Sequence, residues 1–252
     1  MNEDTLEDSI NESEKWLVDG LNGLKDRIKI INDDIYVRTG QTLTINSGSI
    51  WKFATGKGIY VEGGLLQILG TEKEPVVLEA NMITWNGITI YDSKLENSIK
   101  YTTIRDGKKD GGGINVSESN LFLNYSTIEK CEAELYGGAI YCSNNSSIKI
   151  ENTIIKENHA RDCGGGIYNN GASSLRIENT IIKDNRAIYG GGIDNGDNIY
   201  RKTSLRLENV QIIENIASHG GGIYNVQATL VLFGKNTIEN NTPDNIDNRD
   251  IK

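Results

Sequence analysis

Asp194 and His219 are the two residues whose types could move a proton. His219 stands just before one glycine triplet, and Asp194 follows the isoleucine after the preceding triplet. If the chain brings them to within ~3 Å on one face, they form an acid/base couple. Read apart, they are two polar surface residues, as is His159 after Asn158. The place that Asp194 occupies reads Asn115, Tyr141, Tyr168, Asp194 and Tyr224 from one repeat to the next. One aspartate in five does not make the paired carboxylates of sugar hydrolysis, so no catalytic set is assigned.

The residue type that does recur there is tyrosine. Tyr141, Tyr168 and Tyr224 follow the glycines, and Tyr136, Tyr189 and His219 precede them. A floor of glycine bordered by tyrosines suits stacking on sugar rings or packing on a protein. The same glycines also serve tight turns and close backbone approach. Tyr136, Tyr141, Tyr168, Tyr189 and Tyr224, with Asp194, are the candidate ligand-binding set. Two further rows carry charge, Lys149, Arg176 and Arg206 beside Glu151, Glu178 and Glu208. Adjacent rows of opposite sign compensate each other. Ca²⁺ on the glutamate row is the one cofactor considered, with the basic row competing, and no metal site is assigned. Arg105–Asp106 and Lys108–Asp110 read as a solvated charged loop.

These residues share a face only if the repeats stack. The isoleucine after each glycine group falls at 114, 140, 167, 193 and 223, in steps of 26, 27, 26 and 30. Asn158, Asn185, Asn215 and Asn241 keep the same step, as do Ala133, Ala160, Ala187 and Ala217. Several marks on one period mean an array of structural repeats. Three short strands per unit and no helical stretch predict a three-sided coil, its strands pairing in parallel with those ~4.8 Å above and below. Parity sends Ile167, Leu175, Ile177 and Ile182 inward, and Tyr168, Arg176 and Glu178 outward. One coil cannot bury its own apolar side, so stability accrues between neighbours. Asparagines at the corners would bond from coil to coil and take left-handed φ, with Cys131 and Cys142 standing where that ladder stops.

Ahead of the array, Leu6, Ile10, Leu17, Leu21, Leu24 and Ile28 stand at helical spacing, which predicts an amphipathic helical cap within residues 1–34. Strand-like runs begin near Ile35, with a looser period of 24 to 29 up to Ile114. The step of 30 places four extra residues within Gly196–Lys202, a surface bulge. The end of the chain, NNTPDNIDNRDIK, reads as a polar stop to strand pairing. The expected divisions are a cap at 1–34, the wound domain at 35–245 and a tail at 246–252.

With 26 basic and 35 acidic residues the net charge is −9, of which residues 1–34 supply −6 from ten acidic and four basic side chains. An acidic chain with no basic stripe is a poor partner for nucleic acid or an anionic membrane. No apolar run approaches the ~20 residues of a spanning helix. Cys131, Cys142 and Cys163 have no metal or redox spacing and read as small buried apolar residues. The acidic start is not a signal peptide. It fits a cytoplasmic chain or a sequence that starts after a removed leader.

GGAI at 137–140 and GGGI at 164–167, 190–193 and 220–223 resemble the Gly-Gly-Ala-Ile repeats of polymorphic outer-membrane-protein adhesins. Ile155–Asn158, Ile182–Asn185 and Ile212–Asn215 stand where that family has Phe-x-x-Asn. GLLQILGTEKEPVVLEA, WNGITIYDS and IKYTTIRDG are similar to the opening coils of the pectate-lyase-like superfamily. The resemblance implies an all-β, single-stranded right-handed parallel β-helix of about eight coils. It also implies an extracellular or cell-surface setting and bacterial-type origin. The function expected is a non-enzymatic surface or secreted repeat domain binding a glycan or protein partner. The alternative is a carbohydrate-active enzyme, a polyuronate lyase or glycoside hydrolase, since that superfamily includes both enzymes and adhesins. A third reading is an inert spacer in a larger assembly.

Overall fold

The computed structural model describes residues 27–196 and 203–249. The strands fall into three long sheets of nine, nine and eight. The first runs from Ile28–Ile31 to Thr237–Glu239, the second from Ile35–Arg38 to Ile246–Arg249, and the third from Thr42–Asn46 to Thr229–Phe233. Successive strands visit the three sheets in turn, giving eight complete coils and a two-strand ninth among the described residues, close to the eight expected. A short pair, Glu132–Ala133 with His159–Ala160, adds a fourth edge to the middle coils.

Every pairing within the long sheets is parallel, and like residues sit over like. Ile35, Ile59, Ile88, Ile114, Ile140, Ile167, Ile193, Ile223 and Ile246 are consecutive register partners on the second sheet. Those from Ile59 to Ile223 are buried, each worth about 1.5–3 kcal/mol on removal from water. The column therefore runs through the loose front half as well as the tight back half. The front coils also hold aromatic rings. Phe53 and Trp85 stack inside at 4.3 Å, and the Trp85 indole donates to the Arg105 carbonyl at 2.7 Å.

Asparagine ladders hold the turns in register. Nδ2 of Asn158, Asn185 and Asn215 each donates to Oδ1 of the next coil's asparagine at 3.0 Å, ending on Asn241. The Cys131 N–H closes the other end on Asn158. A second ladder joins Asn169, Asn195, Asn225 and Asn248. One expectation is corrected here. The ladder asparagines are not left-handed; the residues just before the first ladder are, Lys130, Glu157, Asp184, Glu214 and Asn240, while the repeat asparagines Asn152, Asn179 and Asn209 do take left-handed φ. The ladder asparagines lie inside the corner, where their amides replace water for buried backbone. Hydroxyls do similar work elsewhere: Thr102, Ser126, Thr153 and Thr180 pass backbone N–H to hydroxyl bonds from coil to coil.

Both expected boundaries move. Ile28–Ile31 is a strand paired with Ile50–Phe53, so winding starts before residue 35. The helical cap expected at 1–34 otherwise lies outside the described residues. Ile246–Arg249 pairs with Ile223–Val226 rather than ending the pairing. Ile246 continues the inner column and Asn248 the ladder, which suffices to hold an otherwise polar strand. Of the insertion at Gly196–Lys202, only Gly196 is among the described residues.

Candidate functional site

The outward column of the second sheet reads Tyr36, Tyr60, Thr89, Asn115, Tyr141, Tyr168, Asp194, Tyr224 and Asp247. Across the glycine turn runs a second column, Tyr136, Cys163, Tyr189 and His219, joined by parallel bridges. The glycines bring the columns together. Gly164 has φ +66°, and a β-carbon on Gly165 would run into the Gly191 carbonyl and lie 2.6 Å from the Arg186 backbone. No larger residue permits that approach.

Two aromatic groups result. Tyr141 stacks on Tyr168 at 5.3 Å, and Tyr136 tilts against both, at 5.8 and 5.2 Å. One coil further on, Tyr189 stacks on His219 at 5.2 Å and tilts against Tyr224 at 5.2 Å. Ring contacts of this kind add about 0.5–1.5 kcal/mol beyond area.

The exposure of this face differs from the expectation. Tyr168 is 1% exposed and Asp194 2% exposed. Their side chains leave the outer side of the sheet, but the neighbouring columns cover them. The Asn170 amide donates to the Tyr168 hydroxyl at 2.9 Å. The reachable members are Tyr136, Tyr141, Tyr189 and Tyr224, all half-buried, with Leu135, Ile188 and Ile216 exposed alongside.

His219 and Asp194 occupy different columns. The His219 ring lies on Tyr189, and its Nδ1 is 3.4 Å from Arg249 Nη2. Arg249 also pairs with Asp247 at 2.9 Å and stands over the Tyr224 ring. Burial pushes the Tyr224 hydroxyl above its ordinary range; Arg249 opposes this, and Asp194 and Asp247 add to it. Arg249 and Asp247 were missed because they fell in the stretch read as a tail.

The charged rows stack as expected, Lys149–Arg176–Arg206 beside Glu151–Glu178–Glu208. Arg176 bonds Glu178, Arg206 Nη2 reaches Glu208 at 3.4 Å, and Arg176 reaches Glu208 at 3.7 Å. Among the described residues no three of His, Cys, Asp and Glu are grouped so as to hold a metal ion. The loop at 105–110 is built in rather than merely solvated. Arg105 bonds the nearly buried Glu79. Asp110 Oδ1 accepts the backbone N–H groups of Leu135, at 2.9 Å, and Tyr136, at 3.3 Å, so it positions that tyrosine.

Fold and columns together define a three-walled parallel β-solenoid repeat domain. The family described as "right handed beta helix region" matches residues 28–204, and the chain belongs to that family. No curated protein and no solved structure matches the chain.

Proposed function

We propose that this chain is a non-enzymatic surface or secreted β-helix repeat domain that binds a partner through its Gly/Tyr-lined face, and that the partner is a protein. The carrying observation is the grouping of half-buried Tyr136, Tyr141, Tyr189 and Tyr224 beside exposed Leu135, Ile188 and Ile216. Aromatic rings held rigid by one another and bordered by aliphatic side chains match the anchor clusters of protein interfaces. A glycan is the second reading of this face. Rings tilted against one another, as Tyr136 is against Tyr141 and Tyr168 and Tyr189 against Tyr224, offer less of the flat platform that a sugar ring stacks on.

Binding of the purified chain to cultured cells tests the reading. Tyr141→Ala with Tyr224→Ala is expected to abolish it with the fold intact, and trypsin treatment of the cells is expected to remove it. Binding that survives trypsin but falls after glycosidase treatment reassigns the face to a glycan. Turnover of polyuronates lost on Asp194→Ala would replace both with the enzyme reading.

A further inference from the structure

The corner between the third and first sheets carries a separate feature. Lys100, Asn124, Glu151, Glu178, Glu208 and Phe233 are register partners at the end of the third sheet's strands. The residue after each turns the corner with left-handed φ: Tyr101 at 46°, Tyr125 at 47°, Asn152 at 48°, Asn179 at 47°, Asn209 at 55° and Gly234 at 62°. Asparagine and glycine take that backbone readily, and a bulky aromatic residue does not. The backbone hydrogen bonds at this place are the same from coil to coil. Tyr101 N–H donates to the Asn124 carbonyl at 3.1 Å, Tyr125 N–H to Glu151 at 3.2 Å and Asn152 N–H to Glu178 at 3.1 Å. Nothing in the turning of the corner therefore asks for tyrosine.

What the two tyrosines add lies on the outside. Their rings are parallel within 4°, with centroids 4.7 Å apart. The pair has Gly70 before it and Asn152 after it in the same place, so no third ring continues the stack. Tyr125 is 48% exposed. Beside the pair runs an open groove of about 420 Å³, lined by Glu72, Tyr101, Tyr125, Thr127, Asn152 and Ile154. Its lining holds one carboxylate, on Glu72, and no cation. Glu74 close by is paired with Arg27, whereas Glu72 has no ion pair among the described residues. Asn152 Nδ2 is engaged by Asn124 Oδ1 at 3.1 Å, and its own Oδ1 accepts no hydrogen bond among the described residues.

We infer that this groove binds the guanidinium group of an arginine side chain on a partner polypeptide. A guanidinium is planar and cationic, so it stacks on an aromatic face, and its fork of N–H groups matches a carboxylate and an amide oxygen. Tyr101 and Tyr125 supply the aromatic surface, Glu72 the carboxylate and Asn152 the amide oxygen. Ile154 is exposed, and with Thr127 it offers methyl groups to the aliphatic stem of the arginine. A compact ammonium has no plane to lay on a ring, so lysine fits less well. An anion meets only the charge of Glu72. The net charge of −9 draws a basic segment towards the chain. The groove is at a different corner from the glycine–tyrosine face and does not rest on that reading.

Chemical-shift titration of the full chain, in physiological salt, tests this with the blocked peptide acetyl-Gly-Gly-Arg-Gly-Gly-amide and its lysine counterpart. The arginine peptide is expected to saturate at millimolar concentration, moving the amide signals of Tyr125, Thr127 and Ile154. It should bind about threefold more tightly than the lysine peptide. Glu72→Gln should weaken it about fivefold, some 1 kcal/mol. Tyr125→Asn should remove binding and leave the urea midpoint unchanged or raised, because asparagine suits the left-handed corner. Tyr224→Ala should leave binding as it was, which separates this groove from the other face. No saturable binding of the arginine peptide, equal affinity for the lysine peptide, or full affinity in both the Glu72 and Tyr125 variants overturns the proposal. Tighter binding of agmatine than of the peptide overturns the assignment to a polypeptide. A markedly lower urea midpoint in Tyr125→Asn also counts against it, since the tyrosines would then be there for the corner itself.

Discussion

Asn185 Nδ2 meets Asn215 Oδ1 at 3.0 Å across 30 residues of chain, the same length as the Asn158–Asn185 bond across 27. The longer repeat is therefore accommodated entirely outside the corner, and the ladder passes it undisturbed. Asn185 is a link with four connections. Its Oδ1 accepts both the backbone N–H and Nδ2 of Asn158, while its Nδ2 serves the Ile155 carbonyl as well as Asn215. Asn185→Ala orphans buried groups on both sides, at about 1–3 kcal/mol each. We expect a loss of about 2–4 kcal/mol by urea unfolding, and a loss under about 1 kcal/mol would show that water replaces the ladder.

The ladder was legible in the sequence because a residue repeated at one step must serve one place. The same logic exposed the isoleucine column and the paired charged rows. Single departures from the repeat were not legible. Asn97, in an inner place held elsewhere by Leu121 and Ile148, and Glu79, sheltered by Arg105, have no counterpart in other coils to betray them. Strand Ile246–Arg249 was masked by its polar composition, since only Ile246 and Asn248 repeat the residue types of the strand they pair with. Parity gave Tyr168 its correct side of the sheet but not its burial. That depends on Tyr136, which belongs to a different column.

Gly165 tests the contact between the two columns. Its β-carbon would collide with backbone of the next coil rather than with a side chain able to swing away. Overpacking against rigid backbone costs about 3 kcal/mol or more. Gly165→Ala should lower the unfolding midpoint steeply, whereas Gly56→Ala has open space around the new methyl and meets only the strain of φ +76°. Equal losses in the two variants would mean that close approach is not what the triplet glycine supplies.

The three thiols should separate by reactivity. Burial pushes Cys131 and Cys142 up to about 12; a hydrogen bond with the Gly107 backbone opposes this at Cys131, where the charges of Asp106 and Glu129 add to it, and one with Ser173 opposes it at Cys142, so neither offers thiolate at neutral pH. Cys163, half-buried between Tyr136 and Tyr189 in its column, is the accessible one. Native protein treated with a thiol reagent should take up no more than one label per chain, with the other two reacting only on unfolding. Rapid labelling of two or three thiols in the native state would contradict the packed corner.

Glu79 should leave a signature in acid. Burial by itself raises a carboxyl pKa, but here the hydrogen bonds from Arg105 and Lys52, with their charges, outweigh it and hold Glu79 below its ordinary value. A carboxylate with a depressed folded pKa contributes stability that is complete above its unfolded pKa. That contribution is lost as pH falls through the folded value. Asp106 next to Arg105 acts in the opposite sense: burial raises it, so its contribution favours the folded state at lower pH and fades as pH rises. Glu79→Gln should cost about 1.5–3 kcal/mol at neutral pH, the worth of hydrogen bonds to a charged group. The difference from the parent chain should shrink as pH is lowered through and below the carboxylate range, because the parent then loses what the variant never had. Urea midpoints at a series of pH values measure this directly. A gap between the two proteins that stays constant into acid would show that Glu79 contributes by packing and not by charge.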